Sequence, residues 1–249
     1  MLIATQKTNS IREIAGRLHL LPLICALLLA GTLGAQTANA PKSAPNLDPV
    51  RFERDINRYL ASDRTNPPPQ KAILFIGSSI FRLWEKLPEQ MAPLPVFNRA
   101  FGGSVTTDVL HYMDKLVLPY EPRIIVYYCG SNDINAGRKA EEVCDGFRQF
   151  VGRVHAQLPE TRIFYVSINR VPQKQDRWEV VDTANQLARE YCTRNRRLAY
   201  IDVNPTLFGA DGQPRLELYQ TDRLHFKAPA YKGFAAIIKP VIAEAWGNK

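Results

Sequence analysis

Apolar residues along this chain follow two different periods. From Asp48, the stretch "DPVRFERDINRYLASD" sets Phe52, Ile56, Tyr59 and Leu60 at helical spacing behind a capping aspartate and Pro49. That pattern predicts an amphipathic helix packed on the outside of a domain. "TNPPPQ" (65–70) ends it, because three successive prolines cannot continue a helix. Beyond this break, unbroken apolar runs rich in β-branched and aromatic residues recur at 72–77, 95–101, 123–130, 162–168 and 198–203. None alternates with period two, so each predicts a strand covered on both faces. Helical patterns follow at 140–158, 177–195 and 229–247. Alternation of such strands with helices predicts an α/β protein, a three-layer α/β/α sandwich whose parallel sheet is built by right-handed crossovers. Pro240, inside the last helical pattern, is expected to kink that helix or split it in two.

The first forty residues break the rhythm. Lys7, Arg12 and Arg17 precede the apolar stretch 18–35, and "ANA" at 38–40 offers small residues where a signal peptidase cuts, although Pro41 directly after it disfavours that bond. Residues 1–40 are expected to be an export signal, with an uncleaved membrane anchor as the alternative; Pro22 and His19 weigh against a permanent span. The expected organisation is this leader, an N-terminal helix and proline-rich linker over 41–70, and one domain over 71–249. The expected location is periplasmic or secreted. The formal net charge is +8, of which Lys7, Arg12 and Arg17 against Glu13 supply +2. The remainder is mildly basic. "CTRNRRLAY" (192–200) is the densest basic run, and without interleaved aromatics it reads as a solvated helix end, so no nucleic-acid partner is expected. Membrane proximity would come through the leader; oligomeric state is not legible.

Beyond the leader stand Cys129, Cys144 and Cys192, an odd number. Cys129, within "IIVYYCG", reads as buried strand filling. Cys144 and Cys192 fall early in one predicted helix and late in another; if those helices run parallel, the sulfurs sit at different heights and no bridge is expected.

In an open parallel sheet, ligands bind outside the carboxyl ends of the strands. The segments there are "GSSIF" after the first strand, "GGSVTTD" (102–108) after the second, "GSNDIN" (130–135) after the third, and "YQTDRLHF" (219–226) after the fifth. Singly each is ordinary turn chemistry. Together they hold what acyl transfer requires. A serine hydroxyl is a poor nucleophile without an adjacent base, and His225 is the candidate, since His19 lies in the leader while His111 and His155 fall within predicted helices. Asp222, three residues earlier, is placed to accept the Nδ1 proton and fix the tautomer. A base of this kind works as neutral imidazole, so kcat/KM is expected to fall at acidic pH. Backbone N–H groups in "GGS", the Asn132 side-chain amide and the N–H of the nucleophile could receive an oxyanion.

Serine after strand one, glycine after strand two, Gly-x-Asn-Asp after strand three and Asp-x-x-His before the last helix resemble the SGNH hydrolases, the GDSL esterase/lipase family. "NRAFGGS" and "YYCGSNDINAG" resemble the branch related to platelet-activating-factor acetylhydrolase subunits. The resemblance covers essentially residues 71–245. It implies the SGNH hydrolase fold, with a flavodoxin-like parallel five-stranded sheet in the order 2-1-3-4-5, and no metal or other cofactor. It makes Ser79, not Ser78, the nucleophile, Asp222 and His225 the acid and base, and Ser79, Gly103 and Asn132 the oxyanion donors. Ser78 stands where the family usually has aspartate, so the anchoring charge of that position is missing and Ser78 is left to support the turn.

The function implied is a serine ester hydrolase acting through an acyl-enzyme on short-chain acyl or acetyl esters of small molecules, glycans or lipids. Two other readings compete: a non-catalytic glycan- or lipid-binding domain on the same fold, and a flavodoxin-like FMN binder, in which His225 and Asn132 have no task. An α/β-hydrolase is disfavoured because no Gly-x-Ser-x-Gly elbow occurs. Arg82, Trp84, Arg170 and Arg215 could meet an anionic or sugar-bearing substrate, but they read more simply as surface arginines and a packed tryptophan.

Overall fold

A central sheet of five parallel strands, β1 (Ile73–Gly77), β2 (Val96–Asn98), β3 (Ile124–Tyr128), β4 (Arg162–Val166) and β5 (Leu198–Ile201), organises the computed structural model, which describes residues 48–247. Their order is β2-β1-β3-β4-β5, the flavodoxin-like arrangement expected. The expected leader, residues 1–40, lies outside the described residues.

Each strand feeds two cores. Leu74, Ile76, Ile125, Tyr127, Ile163 and Tyr165 face one, while Ile73, Phe75, Ile124, Val126, Phe164 and Val166 face the other. Both cores are covered by helices, and this two-sided burial is why the strands read as continuous apolar runs. The first core is closed by α1 (Glu53–Thr65), α4 (Thr106–His111), α5 (Met113–Leu116), α7 (Ala140–Gln157) and α8 (Trp178–Cys192). The second is closed by α2 (Ser79–Arg82), α3 (Leu87–Met91) and α9 (Ala228–Gly247). Between β3 and α7 lies the short α6 (Ser131–Asn135).

Two expectations need correction. The second strand is three residues long rather than seven, because the chain turns out of the sheet after Asn98; only Arg99 and Phe101 still donate to β1, at Phe75 O and Gly77 O. Of the two outcomes expected at Pro240, a kink or a split, the split does not occur: α9 is one helix through it. Ile238 and Ile242, fully buried on either side of it, supply apolar packing of about 2 kcal/mol each to offset the roughly 3 kcal/mol an internal proline costs. Between the helices that carry Cys144 and Cys192, the Phe147 and Tyr191 rings lie 5.8 Å apart and the Arg148 guanidinium covers Tyr191 at 5.5 Å. The middle of α7 therefore meets the end of α8. Cys129, Cys144 and Cys192 are buried and free.

Helix α1 is anchored to the domain through buried Ile56 and through Phe52, the buried residue just before it. Its Asp63 bonds Arg99 and Tyr120, and Tyr59 Oη donates to Ala100 O at 2.6 Å. The segment after β2 that leads to "GGS" is thereby held from outside.

A cavity of about 640 Å³ opens at the opposite end of the sheet, where Arg123, Arg162 and Arg197 line the amino ends of strands. The segments singled out for chemistry are all at the carboxyl ends.

Candidate active site

β1 ends at Gly77 because no other residue fits there. Its φ is +140°, and a Cβ would lie 1.7 Å from the carbonyl oxygen of Tyr128 on the neighbouring strand. The strand and β3 thus approach closely just before the chain turns. Gly77→Ala should lower unfolding free energy by on the order of 3 kcal/mol; a urea titration showing less than about 1 kcal/mol would contradict this reading of the turn.

The turn continues through Ser78, whose N–H donates to Tyr128 O at 3.1 Å and whose carbonyl receives the N–H groups of Phe81 and Arg82. Ser78 is buried and supports the bend through its backbone. Ser79 then opens α2. Ile80 and Phe81 pin this one-turn helix from below, Phe81 packing on Phe75 and Tyr128 at 5.2 and 5.4 Å between ring centroids. Tyr231 Oη of α9 donates to Ile80 O at 2.9 Å. The Ser79 side chain is left pointing at the rim.

The Asp-x-x-His segment is a tight turn closed across its base by the Tyr219–Phe226 bridge and by Gln220 N–H donating to His225 O at 2.7 Å. Arg223, at its tip, has φ +54°. One oxygen of Asp222, Oδ1, accepts the N–H groups of Leu224 and His225 at 3.0 and 2.9 Å. The other, Oδ2, lies 2.6 Å from His225 Nδ1, and His225 Nε2 lies 3.0 Å from Ser79 Oγ. With the proton on Nδ1 donated to Asp222, Nε2 is the acceptor facing the serine hydroxyl. Partial burial pushes the Asp222 carboxyl up, but the two backbone donors and the imidazole outweigh it, so its pKa lies below the ordinary aspartate value. The carboxylate is therefore held as an anion.

Ser104 knits the remaining loops together. Its Oγ donates to Gly77 O at 3.2 Å, and its carbonyl accepts from Asn132 Nδ2 at 3.0 Å. This brings the Asn132 amide beside the Gly103–Ser104 segment and leaves its second N–H free for another acceptor. Gly103 has φ +80° and open space where a side chain would stand, so its backbone can be approached closely. Asp133 accepts the Thr106 N–H at 3.0 and 3.1 Å. Burial raises its carboxyl above the usual value despite those donors.

The structure thus brings Ser79, Asp222 and His225 into one hydrogen-bonded chain, and Gly103 and Asn132 onto one seam beside it. Sequence reasoning missed Ser104 and Asp133 as the ties between loops; both sit inside quoted segments, but a serine and an aspartate near glycines give no sign of which backbone they will meet. Of the four speculative contacts, Trp84 is buried among aromatics, Arg170 forks onto Asp182 at 2.7 and 2.5 Å, and Arg215 pairs with Glu217 at 2.9 Å. Arg82 is exposed and lies against Gly102. Among the described residues no cluster of three or more histidine, cysteine, aspartate or glutamate side chains could hold a metal ion.

Residues 75–232 match the model of the GDSL-like lipase/acylhydrolase family. No curated protein matches the chain. Among solved structures, the chain is similar to a protein provisionally described as a platelet activating factor from Streptococcus pneumoniae, with 22% identity, 78% of this chain and 94% of that one covered, and a TM-score of 0.67. It is similar to a GDSL-like lipase from Bacteroides thetaiotaomicron at 18% identity, covering 77% and 98%, with a TM-score of 0.63. A carbohydrate esterase family 3 protein from Talaromyces cellulolyticus matches at 14% identity over 71% and 98%, with a TM-score of 0.58. Identities this low speak for the fold alone.

Proposed function

The chain belongs to the GDSL-like lipase/acylhydrolase family and is by that membership a hydrolytic esterase or lipase; we propose that it cleaves short-chain carboxylic esters through an acyl-enzyme on Ser79. The observation that carries this reading is the unbroken chain of hydrogen bonds from Asp222 through His225 to Ser79. His225 takes the hydroxyl proton as Ser79 Oγ attacks the ester carbonyl, and returns it to the departing alkoxide as the C–O bond breaks. Water then gives its proton to His225 and attacks the acyl carbon, and the serine leaves reprotonated. The Ser79 and Gly103 N–H groups and the Asn132 amide receive the negative charge of each tetrahedral intermediate.

The triad supports a small acyl group carried on a bulky alcohol. The side chains of His225 and Asp222 are 24% and 40% exposed, so the leaving group meets an open rim, and the charged Arg82 beside the oxyanion loop is a poor wall for a long hydrocarbon chain. An acylated sugar fits such a rim. In a series of nitrophenyl esters, kcat/KM should be highest for acetate to butyrate and fall with longer chains. A rise toward long chains would overturn the short-acyl reading. Export through residues 1–40 belongs to the same proposal, tested by N-terminal sequencing of the mature chain.

Asn132→Ala should lower kcat about 10²- to 10³-fold with little change in KM, because a neutral ester asks little of that donor and the oxyanion asks much. Steady-state kinetics on nitrophenyl acetate decide it; an unchanged kcat would remove Asn132 from the mechanism. A purely binding domain would leave the Ser79–His225 bond and its buttressed aspartate without purpose.

A further inference from the structure

Lys174 lies in the short helical segment Pro172–Arg177 after β4, and it is 6% exposed. Its ammonium donates to the carbonyl oxygen and to Oγ of Ser131, both at 3.2 Å. Ser131 is the first residue of α6 and the immediate neighbour of Asn132. Among the described residues no carboxylate pairs with this ammonium, and burial alone moves its pKa, down to about 8. It is therefore still a cation at neutral pH, held in the interior by dipoles. Burying an unpaired charge is costly, and a methionine of similar length would fill the space at lower cost. Packing thus gives no reason for a lysine here.

Its neighbours suggest one. The segment carrying Lys174 also touches the acid–base turn, since Gln173 N–H donates to Arg223 O at 3.2 Å and Tyr219 Oη donates to Arg170 O at 3.3 Å. Lys174 therefore links the turn that bears Asp222 and His225 to the helix that bears Asn132. We propose that Lys174 is a positioning residue for ester hydrolysis: its ammonium grips the first residue of α6, sets where the Asn132 amide meets the oxyanion, and keeps positive charge behind that amide. The inference rests on the acyl-enzyme reading above. A fixed cation at that place favours the anionic tetrahedral intermediate over the neutral ester, so its effect falls on kcat rather than KM.

The test compares wild type, Lys174→Met and Ser131→Ala in kcat and KM on nitrophenyl acetate, in inhibition by a boronic acid that forms an anionic tetrahedral adduct with serine, and in thermal midpoint. Lys174→Met should keep or raise the midpoint and hold KM within about twofold, yet lower kcat and boronate affinity together by about 10- to 100-fold. Ser131→Ala should do the same to a smaller degree. Unchanged kcat and boronate affinity in folded Lys174→Met, or a loss confined to the midpoint, would overturn the proposal. If Lys174→Met does not fold, Ser131→Ala decides on the same two readouts. A wild type without esterase activity, or one whose activity survives Ser79→Ala, would instead defeat the acyl-enzyme reading itself.

Discussion

Ser79→Ala is expected to reduce kcat/KM on nitrophenyl acetate by at least about 10⁴-fold while leaving the protein folded. The size follows from the proposed chemistry: without Oγ the acyl-enzyme proposed here cannot form, and only the proposed oxyanion donors and binding remain to assist direct attack by water, a residue of catalysis common to such sites. The stability of the variant follows from structure. The hydroxyl makes a single side-chain hydrogen bond, to His225 at 3.0 Å, at a partly exposed position, and such a bond is worth about 1 kcal/mol. The helix beneath it is held by Ile80, Phe81 and the Tyr231 bond, none of which the substitution touches. Circular dichroism and a thermal melt like those of wild type, together with lost turnover, are the expected pair. Turnover close to wild type would show that the nucleophile lies elsewhere.

Asp222→Asn should produce the next largest loss, between about 10² and 10⁴ in kcat. Its amide oxygen can keep the Leu224 and His225 N–H groups that Oδ1 now receives. The amide NH₂ then faces Nδ1 in place of Oδ2 and donates where an acceptor is needed. The imidazole must put its proton on Nε2, toward Ser79, and cannot take the serine proton. The exposure of Asp222 lets water relieve part of this conflict, so the loss should stay below that of Ser79→Ala. The same geometry sets a pH expectation. Asp222 is held below the ordinary aspartate pKa, and a group depressed in the folded state contributes stability above its unfolded pKa and loses it as pH falls through the folded value. In the thermal midpoint against pH, Asp222→Asn should therefore differ most from wild type above the ordinary aspartate range and converge with it in strong acid.

The carboxyl ends of the strands were legible because the sheet is covered on both sides: residues such as Leu74 and Phe75 face different cores, so apolar character is continuous and stops where the chain meets solvent. That is why the sequence alone sets "GSSIF", "GGS", "GSND" and "DRLH" on one rim. Other features depend on partners remote in sequence. The stretch 95–101 gives only three residues of strand because Asn98 and Arg99 take it out of the sheet: Asn98 bonds Phe81 O and the Ala100 N–H, Arg99 bonds Asp63, and Phe101 is buried against Phe52 as much as by the sheet. Pro240 stays inside α9 because the tertiary packing of Ile238 and Ile242 outweighs its local preference. Lys174, within "PQKQDR", looks like any solvated loop lysine, and only the fold shows it buried against Ser131. Short helices such as α2 and α6 are likewise too brief to carry a periodic signal, although they hold Ser79 and Asn132.

Incubation of the intact protein with a fluorophosphonate, followed by peptide mapping, tests the role of Ser79 most directly. One adduct per chain on Ser79, formed as esterase activity disappears and much slower in His225→Ala, is the predicted result. Full modification of Ser79 with activity intact, or inactivation through an adduct on another residue, would contradict it.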